Sequence, residues 1–158
     1  MTLQNEAREN TLELHRVFQE LLKDEDEQGD IGVTSFKVVY DELMDVQKEK
    51  LREIVKERFD ELYESGSIIC IGVAYRNPII DYIDDKQTGE VDYPLWNEYA
   101  KEYNRINQVL NRIAPLIASR FDGFPLKATI GGMIGEVEHV WDYWPLVVSH
   151  RVVAENSG

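Results

Sequence analysis

The sequence contains very little cysteine, and this limits the chemistry that the chain can perform by itself. Among its 158 residues there is a single cysteine, Cys70. A disulfide within the chain is therefore impossible, and so is a four-iron cluster, which needs four thiolate ligands. Cys70 lies in an apolar run between Ile69 and Ile71. Thiols in such surroundings are usually inert small hydrophobes, so a structural role is favoured over a catalytic one.

Basic residues and long apolar runs are also scarce. Thirty acidic side chains against 17 basic ones give a formal net charge of -13 at pH 7. Such a surface repels phosphate backbones and anionic lipids, which disfavours general nucleic-acid binding. No run approaches the roughly 20 apolar residues of a membrane span, and residues 1–9 lack the apolar core of a signal peptide. We therefore expect a cytoplasmic protein that does not enter a membrane.

The periodicity of the apolar residues predicts four helices. With 43% hydrophobic and 30% charged residues, the composition is that of a globular protein, and the length fits one domain. Apolar positions recur at helical spacing over residues 3–23, 41–65 and 94–120, and a last helix is expected to begin near Pro145. Pro115 predicts a kink or an early stop in the third helix, because proline removes a backbone donor.

Three apolar stretches predict strands, at residues 31–36, 67–75 and 126–130. The stretch 67–75 is almost continuously apolar, which is typical of a central strand covered on both faces. We therefore predict an α/β (α+β) fold, a layered sheet with flanking helices. Residues 1–30 would form an N-terminal helix and a solvated acidic loop, followed by an α/β domain over residues 31–158.

Recognisable catalytic motifs are few. Gly131 and Gly132 follow a predicted strand, where permissive backbone lets a ligand approach, but their spacing matches neither a P-loop nor a dinucleotide fingerprint. Glu136, Glu138 and His139 could gather around a cation, although a solvated turn is the favoured interpretation. No metal site is predicted.

A polar cluster, Ser149-His150-Arg151, lies between apolar neighbours in the predicted last helix. The start of this helix beside Gly131 and Gly132 could offer free amide groups to a polar or anionic cofactor edge. Arg151 would add a positive charge, and His150 could donate a proton or bind a cofactor metal. The alternative is a solvated helix face on which Arg151 offsets the surrounding acidity.

Three stretches, in order, resemble the N-terminal domain of epoxyqueuosine-reductase-like iron-sulfur proteins. They are Ser-Ile-Ile-Cys-Ile-Gly-Val-Ala-Tyr at 67–75, Gly-Phe-Pro-Leu-Lys-Ala-Thr-Ile at 123–130 and Val-Ser-His-Arg-Val-Val-Ala-Glu-Asn-Ser-Gly at 148–158. The resemblance covers about residues 31–158. It implies a nitroreductase-related α/β domain followed by a ferredoxin-like domain with two four-iron clusters. In the tRNA-modifying members, a corrinoid sits against the first domain and receives electrons from the clusters.

The chain departs from this family in two respects. The sequence stops at Gly158, before the Gly-Trp-x-Gly-Lys motif and the cluster cysteines, so we expect the ferredoxin-like half to be missing or replaced by a partner redox protein. The family's acidic proton donor lies in an Asp-Thr/Ser-x-Pro-like turn, which Asp142-Tyr-Trp-Pro145 resembles only loosely. The resemblance thus assigns a general-acid role to Asp142.

Two functions follow as expectations. The first is the cofactor-cradling part of an iron-sulfur-dependent oxidoreductase, with a corrinoid or flavin held near Gly131, Gly132 and the 149–151 cluster. The second is a non-enzymatic interaction module, or a remnant, that packs against a partner through its last helix and its Tyr and Trp residues. The aromatic stripe at positions 93, 96, 99 and 103 is expected to serve core and interface rather than base stacking. A homo-oligomer is compatible with either function.

Overall fold

The computed structural model describes residues 3–76, 78, 92–128 and 150–158. These residues form a mixed fold of six helices and two strands. The elements are α1 Leu3–Asp24, β1 Gly29–Ser35, α2 Phe36–Glu42, α3 Asp45–Val55, α4 Phe59–Ser65, β2 Ser67–Val73, α5 Tyr93–Arg120 and α6 His150–Ser157. A single 3-10 turn, Lys56–Arg58, joins α3 to α4. None of the described helices is long and apolar enough to cross a membrane.

The two strands form an antiparallel pair. Their register runs from Gly29 opposite Val73 to Ser35 opposite Ser67, so α2, α3 and α4 connect the strands at one end of the pair. Side chains alternate across a strand, and β2 accordingly buries Ile68 on one face and packs Ile69 on the other. The prediction that this strand is covered on both faces is confirmed, but in the two-stranded sheet of the described residues β2 has one neighbouring strand and is not central.

Two hydrophobic clusters cover the two faces of the strand pair. On one face, α1 and α5 pack their helical stripes on β1 and β2. The buried members of this first cluster are Leu14, Phe18, Leu22, Ile31, Val109, Ile113 and Ile117. On the other face lie α2, α3, α4 and α6. The buried members of this second cluster are Phe36, Val39, Tyr40, Leu43, Leu51, Val55, Ile68 and Val153.

Helix α6 rests directly on the backbone of β1. A Cβ atom at Gly32 would lie 2.6 Å from the carbonyl oxygen of Ser157 and 2.7 Å from its Cβ. These distances are shorter than van der Waals contact, so the absence of a side chain at Gly32 is what allows the end of α6 to approach the strand. The side chain of Asn156 adds a hydrogen bond to Glu42 at the end of α2 (2.7 Å). The last helix is thereby tied to both β1 and α2.

The predicted first helix and first strand agree with the structure, and the helix predicted over 41–65 ends at Ser65 as expected, but that helix is broken. Leu43 and Met44 adopt extended backbone angles between α2 and α3. Lys56 then has a φ of 49°, which ends α3. Both breaks lie between apolar positions that keep an approximately helical spacing, which is why the sequence pattern does not reveal them.

Helix α5 runs to Arg120 as predicted and continues through Pro115, so the early stop, one of the two predicted effects of proline, does not occur. Pro115 itself is exposed, while Ile113 and Ile117 on either side of it are buried in the first cluster, and their burial offsets the lost hydrogen bond. The strand predicted over 126–130 is absent from residues 126–128; positions 129 and 130 lie outside the described residues.

Residues 126–128 are held by a side chain instead of by a sheet. Asn111 of α5 accepts a hydrogen bond from the backbone N–H of Ala128 (2.8 Å) and donates one to its carbonyl oxygen (3.3 Å). One amide thus satisfies both backbone groups of a buried residue, as a neighbouring strand would have done.

Candidate functional site

Most of the residues predicted to bind a cofactor lie outside the described residues. This applies to Gly131, Gly132 and Ser149, and to the side chain of His150, whose backbone begins α6. Asp142, the predicted general acid, also lies outside the described residues. Arg151 is described. Its side chain is exposed and donates to Glu155 on the same helix (2.7 Å), and this hydrogen bond raises the pKa of the guanidinium.

A cluster of charged residues lies at the other end of the strand pair, where β1 begins and β2 ends. We call Glu27, Arg76, Glu102 and Arg105 the arginine–glutamate cluster. Glu27 precedes β1, and its side chain is only 2% exposed. One of its carboxylate oxygens accepts from Arg76 Nε (3.1 Å), and the other accepts from Arg105. The cluster therefore joins the N-terminal loop, the chain leaving β2 and helix α5.

Glu102 completes the cluster on helix α5. It accepts hydrogen bonds from Arg105 Nη2 (2.7 Å) and from the backbone N–H of Arg76 (2.9 Å). The hydrogen bond from Arg105 is the main cause that lowers the pKa of Glu102 to about 2, against the opposing effect of burial. The same contact raises the pKa of Arg105. The carboxylate of Glu102 is thus held in its charged form by the guanidinium of Arg105.

Four aromatic side chains lie beside this cluster, and we call Tyr75, Trp96, Tyr99 and Tyr103 the aromatic row. Tyr99 stacks on Tyr75 with ring centroids 6.0 Å apart and on Tyr103 at 6.2 Å, and Trp96 meets it edge-on at 5.7 Å. Burial is the main cause that raises the pKa of Tyr75 to about 12, and a hydrogen bond with Tyr99 adds to it. The Tyr75 hydroxyl therefore stays neutral at physiological pH.

The local sequence explains how the row is built. Asp92 caps α5 by accepting from the backbone N–H of Leu95 (3.1 Å), and a proline occupies the first turn. Positions 96, 99 and 103 then lie on one face of the helix, and Tyr75 reaches this face from the end of β2. Helical spacing in the sequence predicts that Trp96, Tyr99 and Tyr103 share a face, whereas Tyr75 falls in the predicted strand at 67–75.

Sequence reasoning missed the arginine–glutamate cluster. Glu27 lies within Asp-Glu-Asp-Glu at 24–27, a stretch that predicts a solvated loop, and this interpretation is wrong for Glu27. Its neighbour Asp26 is fully exposed and pairs with Arg76 at 3.4 Å. Nothing in the composition of the stretch distinguishes the buried carboxylate from the exposed one.

A polar cavity of about 670 Å³ opens next to the cluster, between α1 and the end of β2. Its volume is within the range of small-molecule sites, although such sites are usually more apolar. Gln19 and Lys23 of α1, Gln28 before β1 and Tyr75 contribute to its walls.

Catalytic groups are not brought together among the described residues. No three His, Cys, Asp or Glu side chains within the described ranges form a group that could hold a metal ion. Cys70 is half-buried against the second cluster, and burial raises the pKa of its thiol, which agrees with the structural role favoured from sequence.

Comparison with known proteins returned no relative: neither a family model, nor a curated protein, nor a solved structure matches this chain.

The pKa of Glu102 predicts a specific loss of stability in acid. A carboxylate with a lowered pKa stabilises the fold above its unfolded-state pKa of about 4.3 and loses that contribution as the pH falls toward 2. Glu102→Gln should therefore be less stable than the wild type at pH 6, and the gap should close between about pH 4.5 and 2.5. Urea unfolding at several pH values measures the gap. Glu98→Gln, which removes an exposed carboxylate from the same helix, is the control. A gap for Glu102→Gln that is the same at every pH would contradict the prediction.

Proposed function

We propose that this chain is the cofactor-cradling part of an iron-sulfur-dependent oxidoreductase that resembles epoxyqueuosine reductase, with a nitroreductase-related fold. The bound group would be a corrinoid or a flavin. A ferredoxin-like domain or a partner redox protein would deliver electrons to it, because one cysteine cannot hold a four-iron cluster.

The observation that carries the proposal is the convergence of the three resembling stretches on one hydrophobic cluster. Ile68 and Cys70 come from the first stretch, Leu126 from the second, and Val152 and Val153 from the third. These side chains are up to about 85 residues apart in sequence, yet all pack in the second cluster. Stretches that share a core are expected to resemble a family together, which supports treating the three partial matches as one.

The described residues do not themselves form a cofactor cradle. Arg151 is the one predicted contact whose side chain is described, and its guanidinium is bonded to Glu155 within α6. We therefore assign no chemical step to these residues. The general-acid role of Asp142 remains a prediction from the resemblance.

Equilibrium binding to cobalamin and to flavin mononucleotide tests the proposal, with absorbance or calorimetry as the measurement. We expect saturable binding of one of them. Ser149→Ala, His150→Ala and Arg151→Ala should each weaken it by about 1 to 3 kcal/mol, because a ligand group is left unpaired. Arg16→Ala is a matched control, since Arg16 is also an exposed arginine paired along its own helix, with Glu20 at 2.5 Å.

Two results would count against the redox function. One is no saturable binding of either cofactor by protein whose circular dichroism is native. The other is equal weakening by Arg16→Ala and Arg151→Ala, which would indicate a general effect of charge rather than a contact.

The second candidate function is an interaction module, and the exposure of the aromatic row favours it. Trp96 is 47% exposed, Tyr75 40% and Tyr103 37%. Neighbouring aromatic side chains that remain exposed are characteristic of surfaces that bind other proteins. This function does not exclude the first, because a cofactor-binding domain can also dock a partner.

A further inference from the structure

The aromatic row concentrates the exposed rings of the described residues in one place. Five aromatic side chains of the described residues are exposed. Three of them, Tyr75, Trp96 and Tyr103, belong to the row. A fourth, Tyr93, lies at the start of the same helix, and the fifth is Phe124. Tyr and Trp clustered in this way are the residues that most often carry the binding energy of protein interfaces.

Rings outside the row already hold cations of the chain itself. The guanidinium carbon of Arg52 lies 3.8 Å from the centroid of the Phe59 ring, and that of Arg58 lies 5.6 Å from Phe124. Lys37 lies 5.2 Å from the ring of Tyr63. Within the described ranges, no lysine or arginine lies over a ring of the aromatic row. No lysine or arginine of the described residues therefore competes with an incoming cation for these rings.

The charges beside the row favour an incoming cation. Lys101 donates to Glu98 (2.5 Å), while Arg76 and Arg105 are held by carboxylates of the arginine–glutamate cluster. The basic groups next to the row are thus neutralised by contacts within the chain. Asp26 beside Arg76 remains exposed, and the chain as a whole carries a formal charge of -13. A field of this sign attracts basic segments and repels acidic ones.

We propose that the aromatic row is a docking site for a basic, arginine-bearing segment of a partner protein. Guanidinium groups would lie over Trp96, Tyr75 and Tyr103, with the exposed carboxylate of Asp26 at the edge of the site. The inference rests on the interaction-module function and names the class of its partner. A nucleic-acid strand would need a positive groove beside the rings, and a second copy would bring the same negative charge.

Fluorescence anisotropy of the full chain with a labelled peptide of alternating arginine and serine tests this inference. A peptide in which citrulline replaces arginine keeps the shape and removes the charge. We expect saturable binding of the arginine peptide that weakens with added salt, and binding of the citrulline peptide that is at least about tenfold weaker. Trp96→Leu and Tyr103→Leu should each weaken the arginine peptide about three- to tenfold, whereas Trp96→Phe and Tyr103→Phe, which keep a ring, should lose less.

Phe124→Leu is the matched control. It removes an exposed ring that lies outside the row and that Arg58 already covers, so this variant should bind the peptide with the affinity of the wild type. Equal binding of the citrulline peptide, or full affinity in both leucine variants, would overturn the inference. If a polyproline peptide or a single-stranded oligonucleotide instead binds in a way that depends on Trp96, the partner class is wrong while the interaction-module function survives. If no probe shows binding that depends on the row, both the proposed partner class and the interaction-module function are wrong.

Discussion

Replacing Glu27 by alanine is expected to lower the free energy of unfolding by about 1 to 3 kcal/mol, the cost of removing the shared acceptor of two charged donors. Its side chain is 2% exposed and is the shared acceptor of Arg76 and Arg105. Removing the carboxylate leaves two guanidinium groups facing each other without the anion between them. Since a domain is stable by only about 5 to 15 kcal/mol in total, the loss should be evident in urea unfolding followed by circular dichroism.

Glu25→Ala is the matched control for this variant. Glu25 lies two residues away in the same acidic stretch and also binds an arginine of α5, Arg112 at 2.6 Å, but its side chain is more exposed. An ion pair of this kind contributes about 0 to 1 kcal/mol, so Glu25→Ala should be nearly as stable as the wild type. Equal losses in the two variants would show that burial of Glu27 does not set its contribution.

The same variant connects stability with the proposed docking site. The cluster fixes Arg76 against α5, and Arg76 follows directly after Tyr75 of the aromatic row. With Glu27 removed, Arg76 keeps Asp26 and Arg105 keeps Glu102, but both lose the carboxylate that they share, so more uncompensated positive charge lies beside the rings. The two arginines would then compete with an arginine peptide for the ring faces and repel it, so Glu27→Ala should bind the peptide more weakly than Glu25→Ala does.

Elements with strong apolar periodicity were predictable from sequence. The helices at 3–23 and 94–120 agree with α1 and α5 to within one residue at each end, because their stripes match a period of 3.6 residues over many turns. The strand at 67–75 was identified because a near-continuous apolar run suits burial on both faces. In each case one local physical signal extends over the whole element.

The features that build the site depend on contacts between distant residues. Glu27 meets Arg76 across 49 residues and Arg105 across 78. Charged side chains carry no periodic signal that distinguishes a buried partner from an exposed one, so Asp26 and Glu27 look alike in sequence. The same limit explains residues 126–128, where a side chain of α5 supplies the hydrogen bonds that a strand prediction assigns to a sheet.

The division of the chain into residues 1–30 and 31–158 can be tested through α1. Phe18, near the middle of α1, is 0% exposed and packs with Ile31 of β1 and Ile113 of α5 in the first cluster. Phe18→Ala should therefore cost about 3 to 5 kcal/mol, the sum of lost apolar burial and the cavity that remains. Leu12→Ala, on the same helix, removes a side chain that is 61% exposed and should change stability by less than about 0.5 kcal/mol.

Urea unfolding of the two variants decides whether α1 is part of the α/β domain or an appendage to it. If α1 belongs to the domain, Phe18→Ala should shift the midpoint of a single cooperative transition, because the first cluster also contains the buried side chains of α5 and β1. An appendage would melt separately, and the main transition of Phe18→Ala would then coincide with those of the wild type and of Leu12→Ala. Near the urea midpoint, Phe18→Ala should also bind the arginine peptide more weakly than the wild type. The reason is that α5 carries three rings of the aromatic row and packs against Phe18 with its other face.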